Sequence, residues 1–571
     1  MGTVAEELVD ALGRAGVRRV YGIVGDSLNS VVDAVRRSAS IEWVSVRHEE
    51  VAAFAAGAEA QVTGGLAACA GSCGPGNLHL INGLFDSHRS YAAVVAIAAQ
   101  IPSAELGTSF FQETHPERLF RECSHYCELV AGPEQMPRVA DIAIETALQK
   151  RGVSVIVLPG DVALEACAGP SAPSSLTAVR PQIRPSDEEL DRLASLLNAA
   201  ERVTMFCGAG CAGAHAEVLA LADALRAPIV HTLRGKQHVE WDNPFDVGMT
   251  GLLGLRAGYQ AIEECDALLL LGTDFPYDAF YPKGAKIAQI DVRPENLGRR
   301  TRLDIGLVGD VRATLPALLP RLHRHADETH LSSARRRAEA ARSQVGDHVA
   351  HLGSPGAIHP QFVASQVSAL AAPTALFTVD TGMTTVWAAR YLKMAPGRGL
   401  IGSFSHGSMA NALPQAIGAQ AADRTRQVVS LSGDGGLGML LGDLLSLVEH
   451  ELPVKVVVFN NSTLGMVKLE MQVAGIPNFG TDFKPVRFDR IAEAAGIRSF
   501  RVERSEEVAG ALTGAFAHPG PALVDVVTTP YQLALPPDTG VRQAWGVGLF
   551  ALREVALGHA RDVIDEVLAN L

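Results

Sequence analysis

The chain lacks the features of a nucleic-acid-binding, membrane-spanning or secreted protein. Its 49 Lys and Arg residues are outnumbered by 62 Asp and Glu residues, and the net charge of −13 argues against a nucleic-acid surface, which needs a basic footprint. No stretch approaches the roughly 18 uncharged apolar residues that a membrane-spanning helix requires. The first residues lack the basic region and the apolar core of a signal peptide.

Metal-binding cysteine motifs are also missing. The eight cysteines include three pairs at i, i+4 spacing, but none forms a Cys-x-x-Cys motif and no histidine ligand pattern accompanies them (Cys69/Cys73, Cys123/Cys127 and Cys207/Cys211). Their Ala- and Gly-rich surroundings favour buried, reduced thiols over metal ligands. Reduced thiols are typical of the cytosol, so we expect a cytosolic chain. Hydrophobic residues make up 47% of the 571 positions, which is typical of a globular chain with large cores. This length allows roughly three or four domains.

The most informative stretch is residues 428–463, which predicts a strand, a loop, a helix and a second strand. The segments 428–431 and 454–459 are apolar runs of the buried-strand type, and apolar residues recur at helical spacing through 439–448. The glycine-rich segment 433–436 is predicted to be a flexible loop. A helix between two such runs implies parallel strands in one sheet, whose ligands bind beyond the carboxyl ends of the strands.

Asp434 and Asn461 follow these two strands, so the fold should bring them together. One carboxylate and one amide oxygen are hard ligands that suit Mg²⁺, which keeps further positions for phosphate oxygens and water. The neighbouring glycines let backbone N–H groups approach a phosphate closely. The same residues also fit an ordinary turn with a solvated Asp and an Asn cap.

The Gly-Asp-Gly sequence followed by an Asn-Asn pair at 460–461 resembles the cofactor motif of the thiamine-diphosphate-dependent decarboxylases, oxidases and synthases. The resemblance implies that thiamine diphosphate and Mg²⁺ bind here. The implied metal ligands are Asp434, Asn461 and the backbone carbonyl of Thr463. The implied cofactor contacts are Asp434, Gly435, Gly436, Asn461, Ser462, Thr463, Leu464, Gly465, Met466 and Val467.

Residues 1–182 alternate helices and strands and predict the first doubly wound α/β domain. Glu49 precedes an Ala-rich helix, where the helix dipole favours a carboxylate whatever its function. The segment resembles that of the family's catalytic glutamate, which implies that Glu49 bonds the aminopyrimidine and promotes formation of the thiamine ylid. Residues 110–113 fit packing and turn capping, and the resemblance places Phe111 near substrate and flavin.

Residues 183–334 predict a second α/β domain, entered through a Pro/Ser-rich linker at 170–186 and a Ser186–Glu189 capping box. A Gly-x-Gly turn follows the strand at 203–207, and polar turns follow later strands, as expected for a dinucleotide along the sheet edge. A central domain without a ligand is the alternative. The resemblance favours FAD, with contacts at Gly208, Gly210, Thr250, Gly251, Leu252, Leu253, Thr273, Asp274, Phe275, Pro276, Tyr277 and Asp291.

Residues 335–530 predict the third domain, where the resemblance places Gly407, Ser408 and Met409 against the aminopyrimidine. Met409 also fits an apolar core.

Residues 531–571 predict a C-terminal tail with an amphipathic helix. That helix fits docking on its own protein, as an autoinhibitory element would, and also a reversible membrane anchor, although such anchors are usually richer in Lys and Arg. The predicted fold class is therefore α/β, with three doubly wound parallel-sheet domains (pyrimidine-binding, FAD-binding and diphosphate-binding) and an amphipathic tail.

The resemblance covers nearly the whole chain and is greatest to the pyruvate dehydrogenase (quinone) branch, the bacterial pyruvate oxidases. It implies oxidative decarboxylation of pyruvate to acetate and CO₂, with electrons passed through FAD to ubiquinone. It also implies a homotetramer with sites shared between subunits, peripheral on the inner face of the cell membrane. Glu49, Phe111 and Met466 are the implied catalytic residues, although the branch carries an aromatic residue at the position of Met466. Acetolactate synthesis and non-oxidative 2-keto-acid decarboxylation are the alternatives.

Overall fold

The computed structural model describes residues 2–167, 181–352, 357–530 and 532. Within them, the strands form three six-stranded sheets, and every pairing between these strands is parallel. The prediction of three parallel-sheet α/β domains is confirmed. The predicted C-terminal tail lies outside the described residues, apart from Gln532, as does most of the predicted linker.

The first sheet is built from strands whose intervening helices cover both of its faces. The strands are β1 (Arg19–Gly22), β2 (Glu42–Ser45), β3 (Ala67–Gly71), β4 (Val94–Gln100), β5 (Tyr126–Leu129) and β6 (Val153–Pro159). The helices are α1 (Val4–Arg14), α2 (Asn29–Arg37), α3 (Glu49–Thr63), α4 (Pro75–Arg89), α5 (Pro116–Leu119) and α6 (Met136–Lys150). The strand order is β2-β1-β3-β4-β6-β5.

The second sheet has a different order, β12-β11-β10-β7-β8-β9. Its strands are β7 (Val203–Cys207), β8 (Ile229–His231), β9 (Asp246–Met249), β10 (Ala267–Leu271), β11 (Lys286–Asp291) and β12 (Ile305–Val308). Its helices are α7 (Asp187–Ala199), α8 (His215–Leu225), α9 (Leu233–Val239), α10 (Arg256–Glu263), α11 (Val311–Leu318) and α12 (Thr329–Leu352). The predicted capping box is present, since Ser186 and Glu189 exchange both bonds at the start of α7. The predicted boundary at 334/335 falls inside α12.

The third sheet repeats the order of the first when each is counted from its own first strand: β14-β13-β15-β16-β18-β17. Its strands are β13 (Leu376–Val379), β14 (Gly399–Gly402), β15 (Val428–Gly433), β16 (Lys455–Asn460), β17 (Arg498–Val502) and β18 (Ala522–Val527). Its helices are α13 (Pro360–Leu370), α14 (Met383–Tyr391), α15 (Ala412–Ala422), α16 (Asp434–Met439), α17 (Leu444–Glu449), α18 (Gly465–Val473), α19 (Phe488–Ala494) and α20 (Val508–Ala517).

The central strands are buried on both faces. Strand β4 reads Val-Val-Ala-Ile-Ala-Ala-Gln and β10 reads Ala-Leu-Leu-Leu-Leu, and every residue of both is buried. Continuous apolar runs of this kind are typical of parallel strands that helices cover on both sides. The same property made these strands recognisable in the sequence.

Two local predictions around Asp434 are wrong. The stretch 433–436 is not a flexible loop, because Asp434 is the first residue of α16. The single helix predicted over 439–448 is divided, since the chain leaves the helical conformation at Leu440 and continues as α17 from Leu444. Glycine has a low helix propensity, so the helix depends on its tertiary setting and on the favourable carboxylate at its N-terminus.

Small residues let α3 pack closely against helices of two domains. A Cβ built on Gly418 of α15 would lie 2.0 Å from the carbonyl oxygen of Ala55 in α3. A Cβ built on Gly83 of α4 would lie 2.6 Å from the Cβ of Ala53. Through these contacts the first and third domains share one apolar core.

Gly418→Ala should therefore destabilise the protein. The methyl group has no room at the helix crossing, and overpacking of this kind costs about 1–3 kcal/mol in the free energy of unfolding. Urea unfolding measures the change. Gly510→Ala is the matched control, because it lies inside α20 with open space around its Cβ. At that position alanine should raise the free energy of unfolding by about 0.5–1 kcal/mol, because glycine is the poorer helix former. Parental stability of Gly418→Ala would contradict the close crossing.

Candidate active site

A cavity opens beyond the carboxyl ends of β13, β15 and β16, which are adjacent strands of the third sheet. Parallel sheets bind their ligands at this edge. The described residues that line it belong to the third domain, apart from Gln532 of the tail. Its main lining consists of Asp380, Thr381, Gly382, Met383, Thr384, Met409, Gly433, Asp434, Gly435, Gly436, Asn461, Thr463, Leu464, Gly465, Met466, Val467 and Lys468.

Asp434 connects the two turns that the sequence motif predicts to meet. Its Oδ1 accepts the backbone N–H of Gly435 at 2.8 Å, and its Oδ2 accepts the N–H of Ser462 at 2.5 Å. Burial raises the pKa of Asp434 to about 6, although the N–H donors oppose the rise. The Asp434 carboxyl therefore holds the turn after β15 against the turn after β16.

The oxygen atoms beside Asp434 fit a small, hard cation. The Oδ1 of Asn461 accepts the N–H of Thr463 at 3.1 Å, and an amide oxygen has a second lone pair for a ligand. Thr463 is buried next to it, and its carbonyl accepts the N–H of Gly465 at 3.0 Å. Carboxylate, amide and backbone oxygens form the kind of donor set that Mg²⁺ takes up. The residues present fit the implied metal.

Met409 enters the same cavity from the segment after β14. Its methyl group lies 3.5 Å from the position of a Cβ built on Gly435. The following residue, Ala410, has a φ of 63°, a left-handed conformation that is strained for a residue with a Cβ. The other two residues predicted with it, Gly407 and Ser408, do not line the cavity. The Ser408 hydroxyl instead accepts a bond of 2.8 Å from Asn82 of the first domain.

Asp380 is a site residue that the sequence motif does not reveal. It is 1% exposed, and its Oδ1 accepts the N–H of Ala412 at 2.9 Å. Its Oδ2 has no hydrogen-bond partner and lies against Gly436, where a built Cβ would approach it to 2.3 Å. Burial raises the pKa of Asp380 to about 7. The one sequence signal for it is the Asp-Thr-Gly turn after a predicted strand.

Replacing Asp380 with Asn should change how the stability of the cofactor-free protein depends on pH. The carboxyl pKa is about 7 in the folded protein, against an ordinary value of 3.8. The folded state therefore binds more protons than the unfolded state between these values, and the free energy of unfolding falls as the pH rises through that window. The amide does not titrate in this range. The free energy of unfolding of the variant should therefore exceed that of the parent by a few kcal/mol at about pH 8 and equal it near pH 4. Urea unfolding at both pH values measures the difference. If the free energy of unfolding changes equally with pH in the parent and the variant, the prediction is wrong.

Glu49 lies outside this cavity, at the first position of α3. Its side chain is 10% exposed, and its Oε2 lies 2.9 Å from Nδ1 of His79 in α4. The ring of His79 stacks on that of His48, with 4.3 Å between the ring centroids. His48 also caps α3, because its Nδ1 accepts the N–H of Glu50 at 3.2 Å. His79 carried no signal in the sequence, since the residue that it contacts is 30 positions away.

The segment that contains Phe111 is also separate from the Asp434 cavity. The Phe111 side chain is 77% exposed. The next residue, Gln112, has a φ of 63°, and its Oε1 accepts a bond of 3.4 Å from the thiol of Cys73. The segment therefore packs on the glycine-rich turn after β3 and presents Phe111 on the surface of the chain.

The second sheet has the strand order of a dinucleotide-binding sheet. Counted within the domain, its order is 6-5-4-1-2-3, which changes direction between β7 and β10. Ligands of such sheets bind in the crevice at this switch point. Gly208 and Gly210 follow β7, and Thr273 follows β10. A Cβ on Gly208 would lie 2.6 Å from that of Thr273, so these three predicted residues meet at the switch point.

The predicted turns after β9 and β10 also come together. A Cβ on Gly251 would lie 2.7 Å from the ring of Phe275, and that ring is 5.3 Å from the ring of Tyr277, with Pro276 between them in the chain. The hydroxyl of the neighbouring Thr250 is buried without a partner. Leu252 is half-exposed, and the carbonyl of Leu253 accepts a bond of 3.0 Å from Arg390. The turn after β9 thus combines a buried hydroxyl without a partner and a glycine that lies against an aromatic ring.

The two predicted acidic contacts differ in their surroundings. Asp274 forms a two-bond pair with Arg300, at 2.8 and 3.1 Å. Asp291 ends β11 and accepts bonds from the N–H of Arg293 at 2.8 Å and from Asn296 at 3.3 Å. Burial raises the pKa of Asp291. Asp291 keeps an oxygen available for a hydroxyl donor, whereas Asp274 is already neutralised within the chain.

The three domains match three parts of one enzyme class. Residues 2–119 match the N-terminal TPP binding domain of thiamine pyrophosphate enzymes, residues 190–318 match the central domain, and residues 380–526 match the C-terminal TPP binding domain. The chain belongs to the family of thiamine pyrophosphate enzymes.

Individual relatives extend the match over most of the chain. A putative thiamine pyrophosphate-containing protein, YdaP of Bacillus subtilis, is 34% identical over 92% of this chain and 91% of its own length. The pyruvate oxidase of Lactiplantibacillus plantarum is 31% identical over 91% of this chain and 88% of its own length. Acetolactate synthase isozyme 2 large subunit of Escherichia coli is 31% identical over 91% of this chain and 95% of its own length. The chain is thus similar to enzymes of two reaction types.

Proposed function

We propose that this protein catalyses the oxidative decarboxylation of pyruvate to acetate and CO₂, with thiamine diphosphate, Mg²⁺ and FAD as cofactors and ubiquinone as electron acceptor. The observation that carries the proposal is a sheet with a dinucleotide-type switch point in the same chain as the Asp434 cavity. Simple decarboxylation needs no second cofactor. Conversion of pyruvate and water to acetate and CO₂ releases two electrons and two protons, which a flavin can accept.

Bound thiamine diphosphate would supply the nucleophilic carbon and the electron sink for loss of CO₂. The residues of the chain bind and orient it. Asp434, Asn461 and the carbonyl of Thr463 would hold Mg²⁺ and, through it, the diphosphate. Met409 would support the bend of the cofactor, and Glu49 would hold a proton at its pyrimidine nitrogen.

We infer that two copies of the chain contribute to each complete site. Apart from Gln532, the described lining of the Asp434 cavity comes from the third domain, and Glu49 of the first domain is not part of it. We therefore assign Glu49 of one copy to the Asp434 cavity of a second copy, within a homotetramer. Phe111, exposed on the first domain, would approach the substrate across the same interface.

FAD would lie at the switch point of the second sheet. Gly208 and Gly210 would let the backbone approach the pyrophosphate, and Asp291 would accept a bond from the ribose or adenine. The Thr250 hydroxyl and the Phe275 ring would contact the rest of the nucleotide. A side chain larger than hydrogen at either glycine would meet the backbone of Gly272, so the close approach of these two turns requires glycine.

Delivery of electrons to ubiquinone would require contact with a membrane surface, which we assign to the tail at 531–571. None of the helices in the described ranges combines the length and hydropathy needed to span a bilayer. Met466, which lines the Asp434 cavity, would stand beside the reacting carbon. Because Met is not aromatic, we expect it to affect the rate of electron transfer and not the type of reaction.

Acetolactate synthesis is the second candidate. The similarity to an acetolactate synthase is as extensive as the similarity to a pyruvate oxidase. In this reaction a second pyruvate takes the place of the electron acceptor, and the flavin is retained without net oxidation. Two sequence features favour the oxidase, the Phe111-Gln112-Glu113 segment and the tail at 531–571.

An anaerobic assay separates the candidates. Pyruvate is added to the protein loaded with thiamine diphosphate, Mg²⁺ and FAD, and the flavin absorbance and the products are followed. The proposal predicts bleaching of the flavin with an equal amount of acetate, and renewed turnover when a soluble quinone is added. The same sample without thiamine diphosphate is the control and should not bleach. Acetolactate or acetaldehyde formed without bleaching would refute the oxidase.

A further inference from the structure

We propose that Asp443 and His450 of the third domain are positioning residues for Glu49, because they hold the backbone that leads into α3. The proposal rests on the proposed role of Glu49 and adds two residues that act on it from another domain. Neither residue lines the Asp434 cavity, and both contact the chain just before Glu49.

The position of β2 in its sheet explains the contacts. Strand β2 is an edge strand, and on its inner side the N–H of Val46 donates to β1 at 3.2 Å. Backbone groups alternate in direction, so the carbonyl of Ser45 and the N–H of Arg47 face away from the sheet. The third domain satisfies both of them. His450 donates from Nε2 to the Ser45 carbonyl at 2.7 Å, and Asp443 Oδ1 accepts the Arg47 N–H at 2.9 Å.

The carboxylate of Asp443 is itself held firmly. It is 1% exposed, and its Oδ1 also accepts the hydroxyl of Ser446 at 2.8 Å. The guanidinium of Arg47 adds an ion pair with Glu449, at the end of the same helix α17. The third domain therefore takes the place of a neighbouring strand for the last residues before α3.

Glu49 begins α3 only two residues after Arg47. The direction of its carboxyl follows from the point at which the chain enters the helix, and a catalytic group has to be held to about 0.5 Å. Its own domain contributes His48 and His79 at this point. The position of the entering backbone is set by Asp443 and His450.

The test is the rate at which the C2 proton of bound thiamine diphosphate exchanges with deuterium, without pyruvate. Asp443→Ala should slow both this exchange and kcat by about 10- to 100-fold with an unchanged KM for pyruvate, since a misplacement of about 1 Å has effects of this size. Asp443→Asn keeps an oxygen that can accept both bonds and should return the rate to within about threefold of the parent.

His450→Ala provides a second variant, which decides the outcome should Asp443→Ala fail to fold. It should also slow the exchange, by a smaller factor. Glu42→Gln is the matched control, because Glu42 pairs with Arg424 at 3.8 Å across the same two domains but lies outside the 45–49 segment. It should exchange at the parental rate. The proposal is overturned if the Asp443 and His450 variants exchange the C2 proton at the parental rate per bound cofactor. This holds even if the variants bind less cofactor.

Glu49→Gln distinguishes failure of this inference from failure of the proposed function. If Glu49→Gln does not slow the exchange, the assigned role of Glu49 is wrong. If it slows the exchange and the Asp443 and His450 variants do not, only the positioning by the third domain is wrong.

Discussion

Replacing Glu49 with Gln should slow exchange of the thiamine C2 proton, and pyruvate turnover with it, by about 10²- to 10⁴-fold, the range for loss of a positioned acid–base group. The amide has the shape of the carboxyl but cannot exchange a proton with the pyrimidine nitrogen. Thiamine diphosphate and FAD should remain bound, because their proposed anchors lie in the third and second domains. Quenched-flow deuterium exchange and steady-state kinetics measure the two rates.

Glu50→Gln is the matched control for this variant. Glu50 is the next residue of α3 and accepts a bond of 2.7 Å from Asn82, which a Gln oxygen can also accept. This variant should keep the parental exchange rate within about threefold. Equal losses in the Glu49 and Glu50 variants would show that the helix start is merely disturbed, and a parental rate for Glu49→Gln would remove Glu49 from the reaction.

Replacing Asp434 with Ala should abolish Mg²⁺-dependent binding of thiamine diphosphate. The carboxyl is a proposed metal ligand and also holds the Ser462 turn through a bond of 2.5 Å. Loss of a group that only supports a metal ligand typically costs 10- to 100-fold in affinity, so loss of the ligand itself should cost at least about 100-fold. Titration calorimetry with Mg²⁺ present measures the affinity, and the rise in melting temperature caused by the cofactor should disappear with it.

Asp482→Asn is the control for Asp434→Ala. Asp482 is an exposed residue in a separate segment whose backbone pairs with Thr463, so it lies beside the same turn but does not line the cavity. Its variant should bind the cofactor with parental affinity. FAD content should be unchanged in both variants, since the flavin residues lie in the second domain. Parental cofactor affinity in Asp434→Ala would contradict the proposed metal site.

The meeting of Asp434 with the 461–463 turn could be predicted because parallel strands deliver their carboxyl ends to one edge. The structure confirms that these turns are joined, by the Asp434–Ser462 bond. The helix that starts at Asp434 could not be predicted, because three glycines within six residues oppose a helix in any local estimate. Tertiary packing decided that conformation.

Asp380 and His79 could not be predicted from the sequence for a different reason. Each acts through a neighbour far away in sequence: Asp380 lies against Gly436, and His79 bonds Glu49. No periodicity or spacing records such a pair. The strand order of the second sheet was hidden in the same way, since six apolar runs do not specify which strand lies beside which. That order is what places Gly208 beside Thr273.

If Glu49 and the Asp434 cavity serve one thiamine across two copies of the chain, two inactive variants should restore each other. Glu49→Gln and Asp434→Ala are coexpressed with different affinity tags, and the mixed assemblies are isolated. A symmetric pair of chains has two sites, so each mixed pair would contain one site with both changes and one with neither. Mixed pairs should therefore recover about half of the parental turnover per pair. Mixed assemblies that form and remain inactive would contradict the shared site.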